Sequence, residues 1–176
     1  MQDNDVILVD EKDREIGSMN KMEAHHGAHL HRAISVFITN TKGEWLLQQR
    51  TKDKYHLKGL WSNTCCSHPA PGEKTGEAAA RRLMQEMGIA AELTDMFSFT
   101  YKAELENGLT EHEIDHVFWG TTDDLPQPNP QEVMGYRYID YTSLRKELSS
   151  NPGLYTEWFK MIAEKVYQKM DNKASQ

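Results

Sequence analysis

The stretch Trp61-Ser62-Asn63-Thr64-Cys65-Cys66-Ser67-His68-Pro69 decides how the chain is read. It holds both cysteines, with a histidine two residues after Cys66, and Arg50, Lys52, Lys54 and Lys58 lie just upstream. Downstream, 69–76 reads as a loop and 77–87 as a helix. Ala79, Ala80, Leu83 and Met87 form its apolar stripe, Thr75 is the candidate N-cap and Gly88 the stop. Arg82 and Glu86, four apart, share one face of that helix.

Strand-like runs surround this unit. Residues 6–9 read as a strand, followed by a charged turn and a possible return strand from Ile16 that breaks after Gly17. Residues 34–39 and 45–49 read as strands joined through Asn40-Thr41-Lys42-Gly43. Beyond the helix, 97–104 and 113–120 are strands about Asn107-Gly108, 123–130 is a Pro-rich loop, and 136–139 is a last short strand. Tyr155, Trp158, Phe159, Ile162, Val166 and Met170 recur at helical spacing, predicting one amphipathic helix over 155–170 and a frayed polar tail from Asp171. These elements predict a single domain over 1–176, an α+β or mixed α/β sandwich with a mixed central sheet flanked by helices.

Composition narrows the function classes. The chain has 176 residues, enough to bury roughly 70% of its unfolded surface. No apolar run approaches the roughly 20 residues that span a membrane, and the acidic start lacks a signal-peptide pattern. A cytoplasmic protein, monomeric or at most a weak dimer, is expected. A net charge of −7 argues against nucleic-acid binding, which needs clustered cations. Two adjacent cysteines in such a chain leave at least one free thiol.

Three groups of residues can carry chemistry. A lone histidine is most often a surface or packing residue, but His25, His29, His31 and His68 form a set, and Glu111 and Glu113 project to one strand face. Three imidazoles and two carboxylates suit Zn²⁺ or Mn²⁺. Cys65 and Cys66 point to opposite sides of an extended segment; either can be a small buried hydrophobe, yet cations near Cys66 would favour a thiolate there. Lys21, Arg50, Lys54, Arg81 and Arg82 can be a solvated surface or, gathered around one loop, a phosphate site. Glu86 can pair with Arg82 or bind Mg²⁺ as a hard oxygen ligand. On composition alone, Tyr101 and Trp158 read as core.

Several segments together resemble the type I isopentenyl-diphosphate Δ-isomerases of the Nudix superfamily. They are Leu30-His31-Arg32-Ala33, Gly59 with Leu60 and the quoted stretch, Arg81-Arg82-Leu83 with Glu86-Met87-Gly88-Ile89, Tyr101-Lys102, and Glu111-His112-Glu113. Aligned on Arg81 and Gly88, the Nudix hydrolase signature Gly-x5-Glu-x7-Arg-Glu-Leu-x-Glu-Glu-x-Gly is eroded. Ser67 replaces its glycine, Arg82 its second glutamate and Gln85 its third, while Glu73 and Glu86 remain. A diphosphate that is bound but not cleaved fits this loss of carboxylates.

The resemblance implies a Nudix-like fold and interconversion of isopentenyl and dimethylallyl diphosphate through a carbocation-like species in isoprenoid biosynthesis. It implies His25, His31, His68, Glu111 and Glu113 as ligands of one Mn²⁺ or Zn²⁺, and Glu86 with the Cys66 carbonyl as ligands of Mg²⁺. Cys66 and Glu113 become the proton-transfer pair, Glu113 with Tyr101 as acid and Cys66 as base in the forward direction. Lys21, Arg50, Lys54 and Arg82 become the diphosphate contacts, and Trp158 the aromatic facing the cation. Register with His68 selects Cys66 over Cys65, and distance from Lys21 selects His25 over His26. His29, His56, His112 and His116 are left as non-ligands. A hydrolase, or a metal-dependent binding module on the same fold, is the rival reading.

Overall fold

The computed structural model describes residues 4–53 and 57–176; Lys54 and His56 lie outside them. Two strands organise it. β3 (His31–Thr39) and β8 (Thr110–Thr121) pair in parallel along their length, from His31 opposite Glu113 to Thr39 opposite Thr121. β7 (Thr94–Glu104) lies antiparallel on the far side of β8. The short β6 (Cys65–Ser67) pairs with β3, setting Cys66 beside Ser35.

β1 (Asp5–Val9) meets the start of β3 at Leu8 and His31 and carries β2 (Glu15–Asn20) on its outer edge. β2 runs through Gly17 rather than breaking after it, because Gly17 pairs with Leu8 and the irregularity falls at Leu8/Val9. β4 (Trp45–Arg50) joins the end of β3 and pairs with β5 (Trp61–Ser62) and β9 (Val133–Ile139). Among the described residues the strands form one nine-stranded mixed sheet.

Helices cover both faces, and period-two alternation along β3 assigns its residues between them. Ile34, Val36 and Ile38 pack with Phe118 and Cys65 against Ala79, Leu83 and Met87 of α2 (Thr75–Met87). Phe37, Val117 and Tyr101 face the other way, against Trp158, Phe159, Ile162 and Val166 of α4 (Glu157–Ala174). Each fully buried apolar side chain of this kind contributes about 1.5–3 kcal/mol. Gly88 closes α2 with φ 64°, and a Cβ there would stand 2.6 Å from the Gln127 carbonyl oxygen, so glycine is required twice over.

Several boundaries differ from the sequence reading. Thr75 is the first helical residue, not the cap; Lys74 takes that place without a capping side chain. Residues 141–150 form a helix of their own, α3 (Tyr141–Ser150), begun by Asp140 accepting from the Ser143 N–H. Tyr155 and Thr156 precede α4, because Tyr155 bridges to Trp61 and the Thr156 N–H donates to the Trp61 carbonyl. α4 extends through Asp171 to Ala174.

Candidate active site

Register across three strands builds the centre of the site. Glu113 on β8 lies between His31 on β3 and Tyr101 on β7. His25 comes from α1 (Lys21–His26), which Asn20 starts by accepting from the Met22 N–H, and His68 follows β6. The three Nε2 atoms converge on Glu113 Oε1, at 3.1 Å for His68, 3.3 Å for His31 and 3.9 Å for His25. His26 is exposed and takes no part.

His31 Nδ1 lies 2.8 Å from the His29 carbonyl oxygen, a contact that fixes the ring with Nε2 aimed at Glu113. Burial drives the His68 pKa down to about 3, so its imidazole stays neutral. Burial opposes ionisation of Glu113, but hydrogen bonds from the three histidines outweigh it and hold the carboxyl well below its usual range. Three imidazoles around one buried carboxylate are the donor set of a borderline divalent ion, which would displace their Nε2 protons, and these four residues fit one. Glu111, the fifth expected ligand, stands outside the cluster. Its Oε2 accepts from the Tyr101 hydroxyl at 2.5 Å. Tyr101 was expected on Glu113; it holds the next carboxylate on the same face instead, and burial pushes its own ionisation far up.

The thiols separate as the alternation requires. Cys65 is fully buried in the α2-side core. Cys66 lies on the other face, with Asn63 Oδ1 and Trp158 Nε1 both 3.0 Å from its sulfur. The surroundings of Cys66 oppose the expected thiolate. Burial, then the nearby Asp115, pushes the Cys66 pKa up to about 12, and the Arg50 cation offsets only part of this.

An open cavity of ≈ 540 Å³ connects these groups. Cys66, His68, Glu111, Glu113 and Trp158 line it together with Lys21, Arg50, Arg81, Arg82 and Glu86. Arg50 is buried and its guanidinium carbon lies 5.6 Å from the Trp158 ring centroid, a cation–π distance. One Arg82 Nη2 sits 2.6 Å from both Glu86 Oε1 and Glu132 Oε2, while Gln48 Nε2 donates to Glu86 Oε2 at 2.8 Å. Glu86 is thus an ion-pair partner whose buried carboxylate also faces the cavity. Arg81, in contrast, is clamped by Glu73 at 2.7 and 2.8 Å.

Two lining residues escaped the sequence reading. Asp115 is buried on the same face as Glu111 and Glu113, and its Oδ2 accepts from Ser35 Oγ at 2.6 Å. Burial, then the charge of Glu113, raises its pKa well above the usual range. The signal was present, since alternation continued from Glu113 reaches Asp115. Glu132 gave no signal, because it comes from the turn before β9 and pairs with Arg82 only in space.

A mixed sheet between helices, with Arg82 and Glu86 of α2 facing the cavity, defines a NUDIX domain, and residues 29–159 match that family. The fold also matches DR0079 from Deinococcus radiodurans (TM-score 0.74, 16% identity, 91% of this chain and 98% of that one). It matches the MutT protein from Methanosarcina mazei Go1 as well (TM-score 0.64, 20% identity, 84% of this chain and 96% of that one). Within that fold the chain belongs to the isopentenyl-diphosphate Delta-isomerase family. It is 51% identical over 162 residues to the isopentenyl-diphosphate Delta-isomerase of Pectobacterium atrosepticum, covering 92% of this chain and 90% of the relative. It is 50% identical over 164 residues to isopentenyl-diphosphate Delta-isomerase 1 of Aromatoleum aromaticum, covering 93% of each. No described helix is long and apolar enough to cross a membrane.

Proposed function

We propose that this chain interconverts isopentenyl diphosphate and dimethylallyl diphosphate in isoprenoid biosynthesis, like the relatives whose sequence it shares. The observation that carries the reading is one cavity lined by a thiol, a carboxylate and an indole, and opening on a row of cations. Lys21, Arg50 and Arg82 bind the diphosphate, with Lys54 as a fourth contact by sequence alone. Arg82, paired with Glu86 and Glu132, adds positive charge beside the diphosphate. Glu86 and the Cys66 carbonyl would hold Mg²⁺, whose charge would complement the diphosphate. His25, His31, His68 and Glu113 would hold a Mn²⁺ or Zn²⁺, with Glu111 the fifth ligand that the resemblance implies. A divalent ion there supplies positive charge that keeps Glu113 ionised at neutral pH.

Burial of the Cys66 thiol and the histidine hydrogen bonds to Glu113 favour a proton on sulfur and a negative charge on the carboxylate. That order reverses the roles expected from the resemblance. Cys66 delivers its proton to the terminal alkene carbon, leaving a tertiary cation beside the Trp158 indole. Glu113 removes a proton from the carbon next to the diphosphate-bearing one, closing the new double bond. Tyr101, hydrogen-bonded to Glu111, holds that neighbouring carboxylate in place. The reaction is reversible, so the roles exchange in the other direction. Burial of the thiol and indole limits capture of the cation by water.

A cytoplasmic setting is part of the proposal, because Cys66 has to remain a free thiol. The test is incubation with labelled isopentenyl diphosphate, Mg²⁺ and a reductant, followed by product separation. Dimethylallyl diphosphate is expected. Its absence refutes the isomerase, and released phosphate in its place would support a hydrolase.

A further inference from the structure

Asn63 lies one layer behind the cavity, fully buried, with every polar atom of its side chain engaged. Nδ2 donates to the Val36 carbonyl at 3.1 Å and the Cys65 carbonyl at 2.9 Å. Both amide protons are therefore committed to backbone oxygens. A flipped amide would set its oxygen against two carbonyls and its NH₂ against the Trp158 N–H, so the orientation is fixed. Oδ1 then faces three donors: Ser62 Oγ at 2.9 Å, Cys66 Sγ at 3.0 Å and Trp158 Nε1 at 3.1 Å. Trp158 Nε1 and Cys66 Sγ are themselves 3.0 Å apart, closing a triangle of amide oxygen, sulfur and indole nitrogen.

The triangle is anchored from its far side too. Ser62 Oγ lies 2.9 Å from the hydroxyl of Thr156, the N-cap of α4, which caps no N–H of its own helix. The hydroxyl that would start the helix ties it to the cysteine loop instead, and the Thr156 N–H donates to the Trp61 carbonyl. Asn63 is thus the shared acceptor between the loop that supplies the thiol and the helix that supplies the indole.

We propose that Asn63 is a positioning residue for the isomerisation, its Oδ1 fixing the Cys66 sulfur and the Trp158 indole edge at one mutual geometry. The inference rests on Cys66 being the working thiol, as proposed above. Asn63 touches no substrate; it acts by denying the sulfur its other rotamers and by holding the indole beside it. A misplacement of the order of an ångström at a reacting atom costs about 10²-fold in rate. The diphosphate contacts Lys21, Arg50 and Arg82 make none of these hydrogen bonds, so substrate affinity should be left alone.

The experiment compares wild type with Asn63→Ala under metal-replete, reducing conditions. Asn63→Ala is expected to lower kcat about 100-fold while KM for isopentenyl diphosphate stays within about threefold. A kcat within threefold of wild type, or a loss shared equally with KM, overturns the proposal. A second arm does not depend on how well that variant folds. The Trp158 indole N–H resonance of the ¹⁵N-labelled protein, assigned with Trp158→Phe, should move together with the Asn63 side-chain amide resonances in Cys66→Ala. Resonances that ignore the loss of the sulfur overturn the geometry. Should wild type itself fail to isomerise, the isomerase reading falls, and the resonance arm still decides whether Asn63 holds the thiol and indole.

Discussion

The two faces of β3 and β8 are built from one alternation yet do opposite work. On the α2 face the pattern is apolar from Ile34 to Ile38, with Phe118 opposite and Cys65 filling a small gap. On the α4 face it is apolar at one end only, at Phe37 and Val117. Two residues earlier on each strand the same face turns polar, at Ser35 and Asp115, and then reaches Glu113 and His31. Function occupies half of one face, and the buried remainder of the sheet holds it rigid. A single face can therefore carry core and site together when the change from one to the other runs along each of two neighbouring strands in the same direction.

The sharpest way to break that comparison is through the adjacent thiols. Cys66→Ala, on the site face, is expected to lower kcat by about 10⁴-fold, the upper range for a proton-transfer group. Removing divalent ions with a chelator should abolish turnover, and add-back of single metals should restore it and identify the working ion. Next in size, alkylation reads the Cys66 proton directly. A thiol raised from 9.0 to about 12 carries about 1000-fold less thiolate at pH 8, so its iodoacetamide reaction should slow in proportion. A rate like that of free cysteine would restore the thiolate and the base role.

Cys65→Ala, on the core face, should keep activity within about threefold and cost stability of about 1 kcal/mol, read by chemical denaturation. Equal activity losses in the two variants would dissolve the distinction between the faces. The smallest effect lies at the rim. Hydrogen bonds from Arg81 hold the Glu73 pKa below 4.5, so this pair stabilises the fold above that value and stops doing so as pH falls through the lowered one. Glu73→Gln should therefore cost about 0.5–1 kcal/mol at neutral pH and nothing in strong acid.

Much of this was legible in the sequence because it follows local periods. The stripe of α2, the alternation of β3 and β8, and the spacing of Cys66 and His68 each place a residue on a known face. What failed depends on distant partners. Thr75 could not be told from a cap, and Trp61 draws Tyr155 and Thr156 out of the last helix. The cations near Cys66 suggested a thiolate, but burial and Asp115 decide its state, and neither shows in a list of neighbours along the chain. Tyr101 lies opposite Glu113 in register, yet its hydroxyl reaches Glu111.

The parallel pairing of β3 with β8 has a consequence for how this enzyme can be re-engineered. His31 meets Glu113 across the strand pairing and not along the chain, so the length of chain between them is free to change. Insertions at the exposed turn around Asn107-Gly108 leave the pairing intact. Deleting one residue inside β8 is different in kind. It would bring Ile114 into the place of Glu113 and turn every carboxylate of that strand away from the histidines. The scaffold is elastic in its loops and digital in its strands.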